Sequence, residues 1–202
     1  MIKAVIFDIG NVLLSFDFGR VLRRVLPHCG VNSADFSTRL EPLKMDLESG
    51  RISADAFLDR ASVVLAYRGE RAELVRAWQE IFEPIEQTHR LVEGLACRLP
   101  LYLLSNTNNL HAEYFMGEYA VFRHFKDRVF SHESGLMKPI RGFTGMRWKS
   151  LDWRLGRLFL WMISLKMWRR REGRGFDPIS IMLDGMNFWR MTCVRQECFR
   201  RG

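Results

Sequence analysis

Two short apolar runs, each ending in small polar residues, constrain the fold of this chain more than any other feature. The first covers residues 3–7, is rich in β-branched side chains and leads into Asp8. The second covers residues 99–104 and leads into Ser105. Runs of this kind are typical of strands that are buried on both faces of a parallel sheet. The polar residues therefore mark strand ends, where parallel sheets bind their ligands.

Helical spacing of apolar residues dominates the stretch between the two runs, residues 18–97. The first helical pattern has a stop signal at Gly30, and Ser53 is positioned to cap the next helix. A further pattern runs through residues 74–82 and is expected to end at Pro84. The sequence thus predicts a helical segment inserted between two strands.

A third short strand is predicted at residues 128–131, leading into the loop that carries Lys138. Strands that alternate with helices predict an α/β fold with a Rossmann-like parallel sheet. We expect a core formed by residues 1–14 and 98–202, with an inserted helical cap at residues 15–97.

The last third of the chain differs from the rest in charge and composition. Residues 1–139 hold 17 Lys and Arg against 18 Asp and Glu, whereas residues 140–202 hold 14 against 5. The second segment also holds five of the six tryptophans and six of the ten methionines, without a clean helical or strand period. We expect the core to be atypical or disordered in this segment. Its Arg and Trp residues would suit nucleic acid, but it contains no recognised binding motif, and no nucleic-acid partner is expected.

Cysteine usage and hydropathy indicate a cytoplasmic protein with no membrane partner. The four cysteines form no CxxC pair and have no metal-ligand spacing, so we expect reduced thiols and no zinc site (Cys29, Cys97, Cys193 and Cys198). The start of the sequence carries no basic leader of the kind found in signal peptides. The apolar run at residues 158–165 is far shorter than the ~20 residues that span a bilayer.

The polar residues at the predicted strand ends form three short motifs in a fixed order. Each residue alone has an ordinary structural explanation, such as a turn, a helix cap or a solvated loop. Together the motifs resemble the haloacid dehalogenase superfamily, in the phosphatase branch with a small helical cap and an Asp-x-Gly-Asn first motif. The resemblance covers residues 1–139, and its motif residues are Asp8, Gly10, Asn11, Ser105, Asn106, Lys138 and Pro139.

The resemblance implies a role for each motif. Asp8 would attack the phosphoryl group and form an aspartyl-phosphate intermediate. Ser105 would donate a hydrogen bond to a phosphoryl oxygen together with the backbone amide of Asn106, and Lys138 would neutralise charge. Mg²⁺ would bridge Asp8, the carbonyl of Gly10 and the phosphate. The expected substrate is a small phosphorylated metabolite such as a sugar phosphate or a nucleotide, and the oligomeric state is left open.

The first motif departs from the commonest pattern of the superfamily. Many members carry a general acid two residues after the nucleophile, and that position is Gly10 here, followed by Asn11 as an expected substrate contact. Asp17 and His111 are the alternative proton donors in the sequence. A 2-haloacid dehalogenase is a second possible activity, and it would need no metal.

A fourth motif, a strand that ends in aspartates and completes the magnesium ligands, is missing from its place. Residues 160–163 read Leu-Trp-Met-Ile there, and Asp184, which follows another apolar run, lies much further along the chain. The loss of this motif would leave a catalytically impaired or inactive chain.

A lost base near the codon of Pro139 accounts for the missing motif. Val-Asp-Asp encoded as GTG-GAT-GAT and read one base late gives TGG-ATG-AT, which encodes the observed Trp-Met-Ile of residues 161–163. Glu-Asn-Val-Glu treated in the same way gives the Lys-Met-Trp-Arg of residues 166–169. We therefore hypothesise that residues 140–202 are a frameshifted translation. The competing hypothesis is a divergent basic tail with its own role.

Overall fold

A computed structural model of the protein describes residues 2–138, 159–163 and 181–182. A five-stranded sheet has the order β5-β4-β1-β6-β7, and a two-stranded ribbon pairs β2 with β3. The strands are β1 (Ile2–Phe7), β2 (Leu14–Phe16), β3 (Phe82–Pro84), β4 (Leu101–Ser105), β5 (Phe125–Phe130), β6 (Phe159–Ile163) and β7 (Ile181–Met182). The predicted α/β fold with a parallel sheet is confirmed.

The central strand β1 has parallel neighbours on both sides. Phe7 lies opposite Leu103 of β4 and opposite Ile163 of β6. β4 pairs in parallel with β5, and β7 is antiparallel to β6. The three predicted strands are thus present, and the carboxyl ends of β1, β4 and β6 meet at one edge of the sheet.

The helices are α1 (Gly19–Val25), α2 (Ser33–Glu48), α3 (Ala54–Val64), α4 (Arg71–Gln79), α5 (Glu86–Ala96), α6 (Asn109–Glu118) and α7 (Ser131–Ser134). The hydroxyl of Ser53 caps α3 by accepting a hydrogen bond from the amide of Ala56 at 3.2 Å. The expected helix over residues 74–82 ends earlier, at Gln79. Phe82 instead joins β3, because residues 82–84 pair antiparallel with β2.

Buried apolar side chains form two clusters. The sheet cluster lies around β1, β4 and α6 and includes Phe7, Leu103 and Phe115. The helical cluster is formed mainly by α1 to α4 and includes Phe57 and Trp78. The apolar face of α5 packs in the sheet cluster. The β2–β3 ribbon joins the two clusters at the two places where the chain passes between them.

None of the helices in the described ranges is both long and apolar enough to cross a bilayer. The rest of residues 140–202, including the arginine clusters, Asp184, Cys193 and Cys198, lies outside the described residues.

Candidate functional site

Asp8 follows β1 directly and is presented by a very tight loop. The carbonyl of Ile9 accepts hydrogen bonds from the amides of Val12, Leu13 and Leu14 at 3.1, 2.9 and 3.1 Å. Asn11 adopts a left-handed backbone conformation with φ of 56°, which asparagine tolerates better than most residues. The loop therefore turns the chain back within six residues and leaves Asp8 at the sheet edge.

Gly10 packs closely against an aromatic ring in this loop. A Cβ atom at this position would lie 3.0 Å from Cε1 of Phe16, on the first strand of the ribbon. A larger side chain would therefore displace the Phe16 ring. The Phe16 ring thus lies close to the position where many superfamily members carry the general acid.

Lys138 reaches Asp8 from the loop that follows α7. Its Nζ lies 2.6 Å from Oδ1 of Asp8, and both side chains are only 16% exposed. The same ammonium donates a hydrogen bond to the carbonyl of Leu104 at 3.1 Å. A charged pair this far withdrawn from water interacts more strongly than a surface ion pair.

Asn106 holds the backbone of Lys138 through two hydrogen bonds. Its Oδ1 accepts from the Lys138 amide at 2.8 Å, and its Nδ2 donates to the Lys138 carbonyl at 3.2 Å. The sequence predicted only a contribution from the backbone amide of Asn106. This clamp was missed because it joins two residues that are far apart in the sequence.

Ser105 ends β4 and lies on the same sheet edge, next to the strand that carries Asp8. It is buried, with 4% of its surface exposed. Its hydroxyl donates to the carbonyl of Asn106 at 3.4 Å, a long and weak hydrogen bond. The hydroxyl is therefore held loosely enough to turn toward another acceptor.

Neither alternative proton donor is suited to that role in the structure. Asp17 accepts hydrogen bonds from Arg23 and from the amide of Gly19, and the Arg23 bond is the main cause that lowers the pKa of Asp17. His111 is buried, and burial lowers its pKa to about 3. Its Nδ1 accepts from Asn108 and its Nε2 donates to the Trp78 carbonyl, both at 3.0 Å. His111 therefore joins the two apolar clusters as a neutral side chain.

A second contact between the clusters lies beside the site, at Ser131. The Ser131 hydroxyl donates to the carbonyl of Glu48 at the end of α2, at 2.5 Å. It also accepts from the Thr107 amide at 3.0 Å. Gly50 comes so close to the carbonyl of His132 that a Cβ atom would lie 2.3 Å from its oxygen. No pattern in the sequence pointed to this contact, because it depends on the tertiary fold.

The oxygen donors at the sheet edge match Mg²⁺ in kind, since this ion prefers carboxylate, carbonyl and phosphate oxygens. Within the described ranges, His, Cys, Asp and Glu form no cluster of three that could hold a metal by itself. The strand β6 lies next to β1, at the place expected for the fourth motif, and its sequence contains no carboxylate.

Comparisons with known proteins agree with this architecture. No family model matches the chain. A curated relative, the D-ribitol-5-phosphate phosphatase of Bacteroides thetaiotaomicron, is 26% identical over 151 residues, which cover 69% of this chain and 72% of the relative. A solved structure of a predicted haloacid dehalogenase-like hydrolase from Porphyromonas gingivalis matches with a TM-score of 0.58 and 28% identity, over 69% of this chain and 71% of that chain.

In sequence and fold the chain is thus similar to members of the haloacid dehalogenase superfamily. The fold is also shared with a superfamily enzyme of Bacteroides thetaiotaomicron that was crystallised with magnesium and inorganic phosphate. That match has a TM-score of 0.60 and 23% identity and covers 69% of this chain and 73% of that chain. The superfamily resemblance in the sequence is thus confirmed.

Proposed function

We propose that this haloacid dehalogenase superfamily member is a Mg²⁺-dependent phosphatase that hydrolyses a small phosphorylated metabolite through an aspartyl-phosphate intermediate. The observation that carries the proposal is the 2.6 Å approach of the Lys138 ammonium to the Asp8 carboxylate at the sheet edge where Ser105 also lies. A curated relative named as a phosphatase and a fold neighbour with bound magnesium and phosphate support it.

The reaction would proceed in two displacements at phosphorus. A carboxylate oxygen of Asp8 attacks the phosphorus, the bond to the ester oxygen breaks, and the departing oxygen takes up a proton. Water then attacks the phosphorus of the aspartyl-phosphate and releases inorganic phosphate and the free carboxylate. Since Gly10 carries no acidic group, the proton must come from a group other than residue 10.

Four further groups would contact the substrate, and three of them would stabilise charge on the transferred phosphoryl group. The hydroxyl of Ser105 and the backbone amide of Asn106 would donate hydrogen bonds to its oxygens, and Asn11 would contact the substrate from the first loop. The Lys138 ammonium would offset negative charge, which is the main contribution of a protein to phosphoryl transfer. Asn106 would act by fixing the backbone of Lys138.

Asp8 and the carbonyl of Gly10 are the residues that would hold Mg²⁺. When bound, the ion would offset charge on the phosphate oxygens. Mg²⁺ is commonly held by one or two carboxylates, substrate phosphate and water. The single carboxylate of Asp8 is the right type of ligand, and it gives the smallest number of carboxylates in that range. Asp8 in turn is oriented by the amide of Ile9, which donates to Oδ1 at 2.9 Å.

We propose the division into a core and an inserted cap that the sequence indicates, with residues 1–14 and 98–202 in the core. The helical cluster supports a cap within residues 15–97. The packing of α5 in the sheet cluster favours a cap that ends before α5. We also propose a cytoplasmic location without a nucleic-acid partner. The free thiols of Cys29 and Cys97 fit this location.

Hydrolysis of p-nitrophenyl phosphate with Mg²⁺ tests the activity. We expect release of p-nitrophenol by the wild type, loss in Asp8→Asn, and no loss in Glu93→Gln, a matched change from carboxylate to amide at an exposed position of α5. Chelation should abolish the activity. Turnover that survives chelation would contradict the Mg²⁺ dependence, and equal background in wild type and Asp8→Asn would overturn the phosphatase. Halide release from a 2-haloacid without metal would favour the dehalogenase alternative.

A second candidate is a catalytically impaired chain that results from a frameshift after Pro139. The observation that favours it is β6, which takes the place of the fourth-motif strand beside β1 while its sequence, Phe-Leu-Trp-Met-Ile, has no carboxylate. Resequencing the gene across codons 136–142 tests it. An intact reading frame there, together with peptide masses for residues 140–202, would contradict the frameshift.

A further inference from the structure

Lys44 of α2 is connected to the loop that follows β1 by a row of aromatic contacts. Nζ of Lys44 lies 4.6 Å from the centre of the Phe18 ring. The Phe18 ring meets the Phe16 ring edge to face at 5.6 Å, and Phe16 packs against the position of Gly10. A continuous row of contacts therefore leads from the loop after the nucleophile to Lys44.

Glu48 lies one helical turn after Lys44 and is placed by a different contact. Its backbone carbonyl is held by the Ser131 hydroxyl, which also bonds the amide of Thr107. Thr107 follows Asn106, one of the expected phosphate contacts. Two separate sets of contacts thus place Lys44 and the Glu48 backbone near the site, and the i, i+4 spacing puts their Cβ atoms roughly 6 Å apart.

Both side chains are partly withdrawn from water. The Lys44 side chain is 23% exposed, and its ammonium has an ion pair at 3.5 Å with Glu41, whose own side chain is 61% exposed. Burial raises the pKa of Glu48, Lys44 opposes that effect and Glu41 adds to it. In the part of the chain that carries described side chains, the Glu48 carboxyl has no hydrogen bond or close ion pair. Such a desolvated polar group is stabilised when a ligand supplies a partner.

We infer that Lys44 and Glu48 bind the hydroxyl groups of a polyhydroxylated phosphate monoester, of the sugar or alditol phosphate class. This inference rests on the proposed phosphatase function. A hydroxyl group both donates and accepts hydrogen bonds, so a carboxylate and an ammonium side by side can bind neighbouring hydroxyls. Phe16, which is 39% exposed, offers an apolar surface to the carbon chain. An aromatic ester such as p-nitrophenyl phosphate has no hydroxyl groups for this pair.

The test compares Glu48→Gln and Lys44→Met with the matched exposed variants Glu93→Gln and Lys126→Met. The readout is kcat/KM for D-ribitol 5-phosphate divided by kcat/KM for p-nitrophenyl phosphate. We expect this ratio to fall by about tenfold or more in the two α2 variants, as loss of a charge-assisted hydrogen bond predicts. The ratio should stay near the wild-type value in the matched variants. An unchanged ratio in both α2 variants would overturn the inference.

A calorimetric binding experiment separates failure of this inference from failure of the proposed function. If the wild type hydrolyses neither ester, the phosphatase proposal fails, and titration with D-ribitol 5-phosphate and with inorganic phosphate still tests the α2 pair. Weaker binding of only the alditol phosphate in the α2 variants supports the inference. Equal weakening of both ligands, no weakening, or no binding of the alditol phosphate by the wild type overturns it.

Discussion

The Lys138 ammonium lies between Oδ1 of Asp8, at 2.6 Å, and the carbonyl of Leu104, at 3.1 Å. Two of its contacts therefore come from neighbouring parallel strands, and its backbone is fixed separately by Asn106. Since only one of these contacts involves Asp8, the lysine keeps most of its support when Asp8 is changed. We therefore expect loss of activity in an Asp8 variant to report on the Asp8 carboxylate itself.

Asn106→Ala should lower activity by positioning alone. Both hydrogen bonds to the Lys138 backbone disappear, so the ammonium loses its fixed place while its charge remains. We expect kcat to fall about tenfold to a hundredfold with a smaller change in KM, whereas Lys138→Met should lower kcat by at least about a hundredfold. Steady-state kinetics on p-nitrophenyl phosphate measures both.

Asn109→Ala is the matched control for the clamp, because it makes the same change at the first residue of α6. We expect its kcat to remain near the wild-type value. A kcat for Asn106→Ala equal to that of the control would show that Lys138 does not need the clamp. Circular dichroism melts of all three variants check that the fold is kept.

Gly50→Ala should destabilise the protein, because two effects act at this position. Its φ is +72°, and an added Cβ would lie 2.3 Å from the carbonyl oxygen of His132. Positive φ at a non-glycine residue costs about 1 kcal/mol or more by itself, and the clash would separate α2 from the Ser131 contact. Urea unfolding should give a free energy of unfolding at least ~1 kcal/mol lower than wild type.

The same substitution at Gly94 is expected to have the opposite effect on the free energy of unfolding. Gly94 lies within α5, and a Cβ there meets nothing within 4 Å. Replacement of an exposed helical glycine by alanine should raise the free energy of unfolding by roughly 0.5–1 kcal/mol. If both alanine variants shifted stability in the same direction, the close approach of Gly50 to His132 would be contradicted.

The sequence predicted the elements whose signals are local. Buried strands are continuous apolar runs, so residues 3–7 and 99–104 were placed correctly to within two residues. The cap of α3 at Ser53 also depends on neighbouring residues only. These signals were sufficient to predict that Asp8 and Ser105 lie at one edge of the sheet.

Features that depend on distant partners could not be predicted in this way. The helical period through Ile81 and Phe82 was overridden by antiparallel pairing with β2, which lies almost 70 residues earlier in the chain. The same holds for three features of the site, each of which depends on residues far apart in sequence: the Asn106 clamp, the Ser131 contact and the burial of His111. The sequence alone therefore leaves His111 as a candidate proton donor, whereas its burial in the structure argues against that role.

His111 should make stability depend on pH below neutrality. Its folded-state pKa is about 3 against an ordinary value of 6.5, so the unfolded chain binds a proton that the folded chain does not. Stability from this residue is complete above pH 6.5 and falls as the pH decreases toward 3, with a slope of at most about 1.4 kcal/mol per pH unit. Lys44 is the charged group that adds to this effect.

Urea unfolding of wild type and His111→Asn between pH 7.5 and pH 4.5 isolates the contribution of the histidine. Because carboxyl groups titrate in both proteins, the difference between the two free energies is the quantity to follow. We expect the wild type to be the more stable protein at pH 7.5, and its advantage to shrink as the pH falls. A constant difference over the whole range would show that His111 is not held neutral by burial.

The frameshift hypothesis predicts that restoring the reading frame after Pro139 raises the affinity of the protein for Mg²⁺. A single inserted base at that codon would replace Trp-Met-Ile at residues 161–163 by Val-Asp-Asp under the codons considered above. The residue at position 163 lies opposite Phe7, which comes immediately before Asp8, so the restored carboxylates would lie beside Asp8 at the sheet edge. A second carboxylate is expected to raise Mg²⁺ affinity, since this ion binds hard, charged oxygen ligands.

The half-maximal Mg²⁺ concentration for hydrolysis of p-nitrophenyl phosphate should fall at least about tenfold in the restored chain, roughly the effect of one added charge-assisted interaction. Asp8→Asn in the restored chain is the control that must remove the activity. If the restored and original chains needed the same Mg²⁺ concentration, the restored carboxylates of β6 would not contribute to the metal site. The frameshift would then not explain a loss of metal binding.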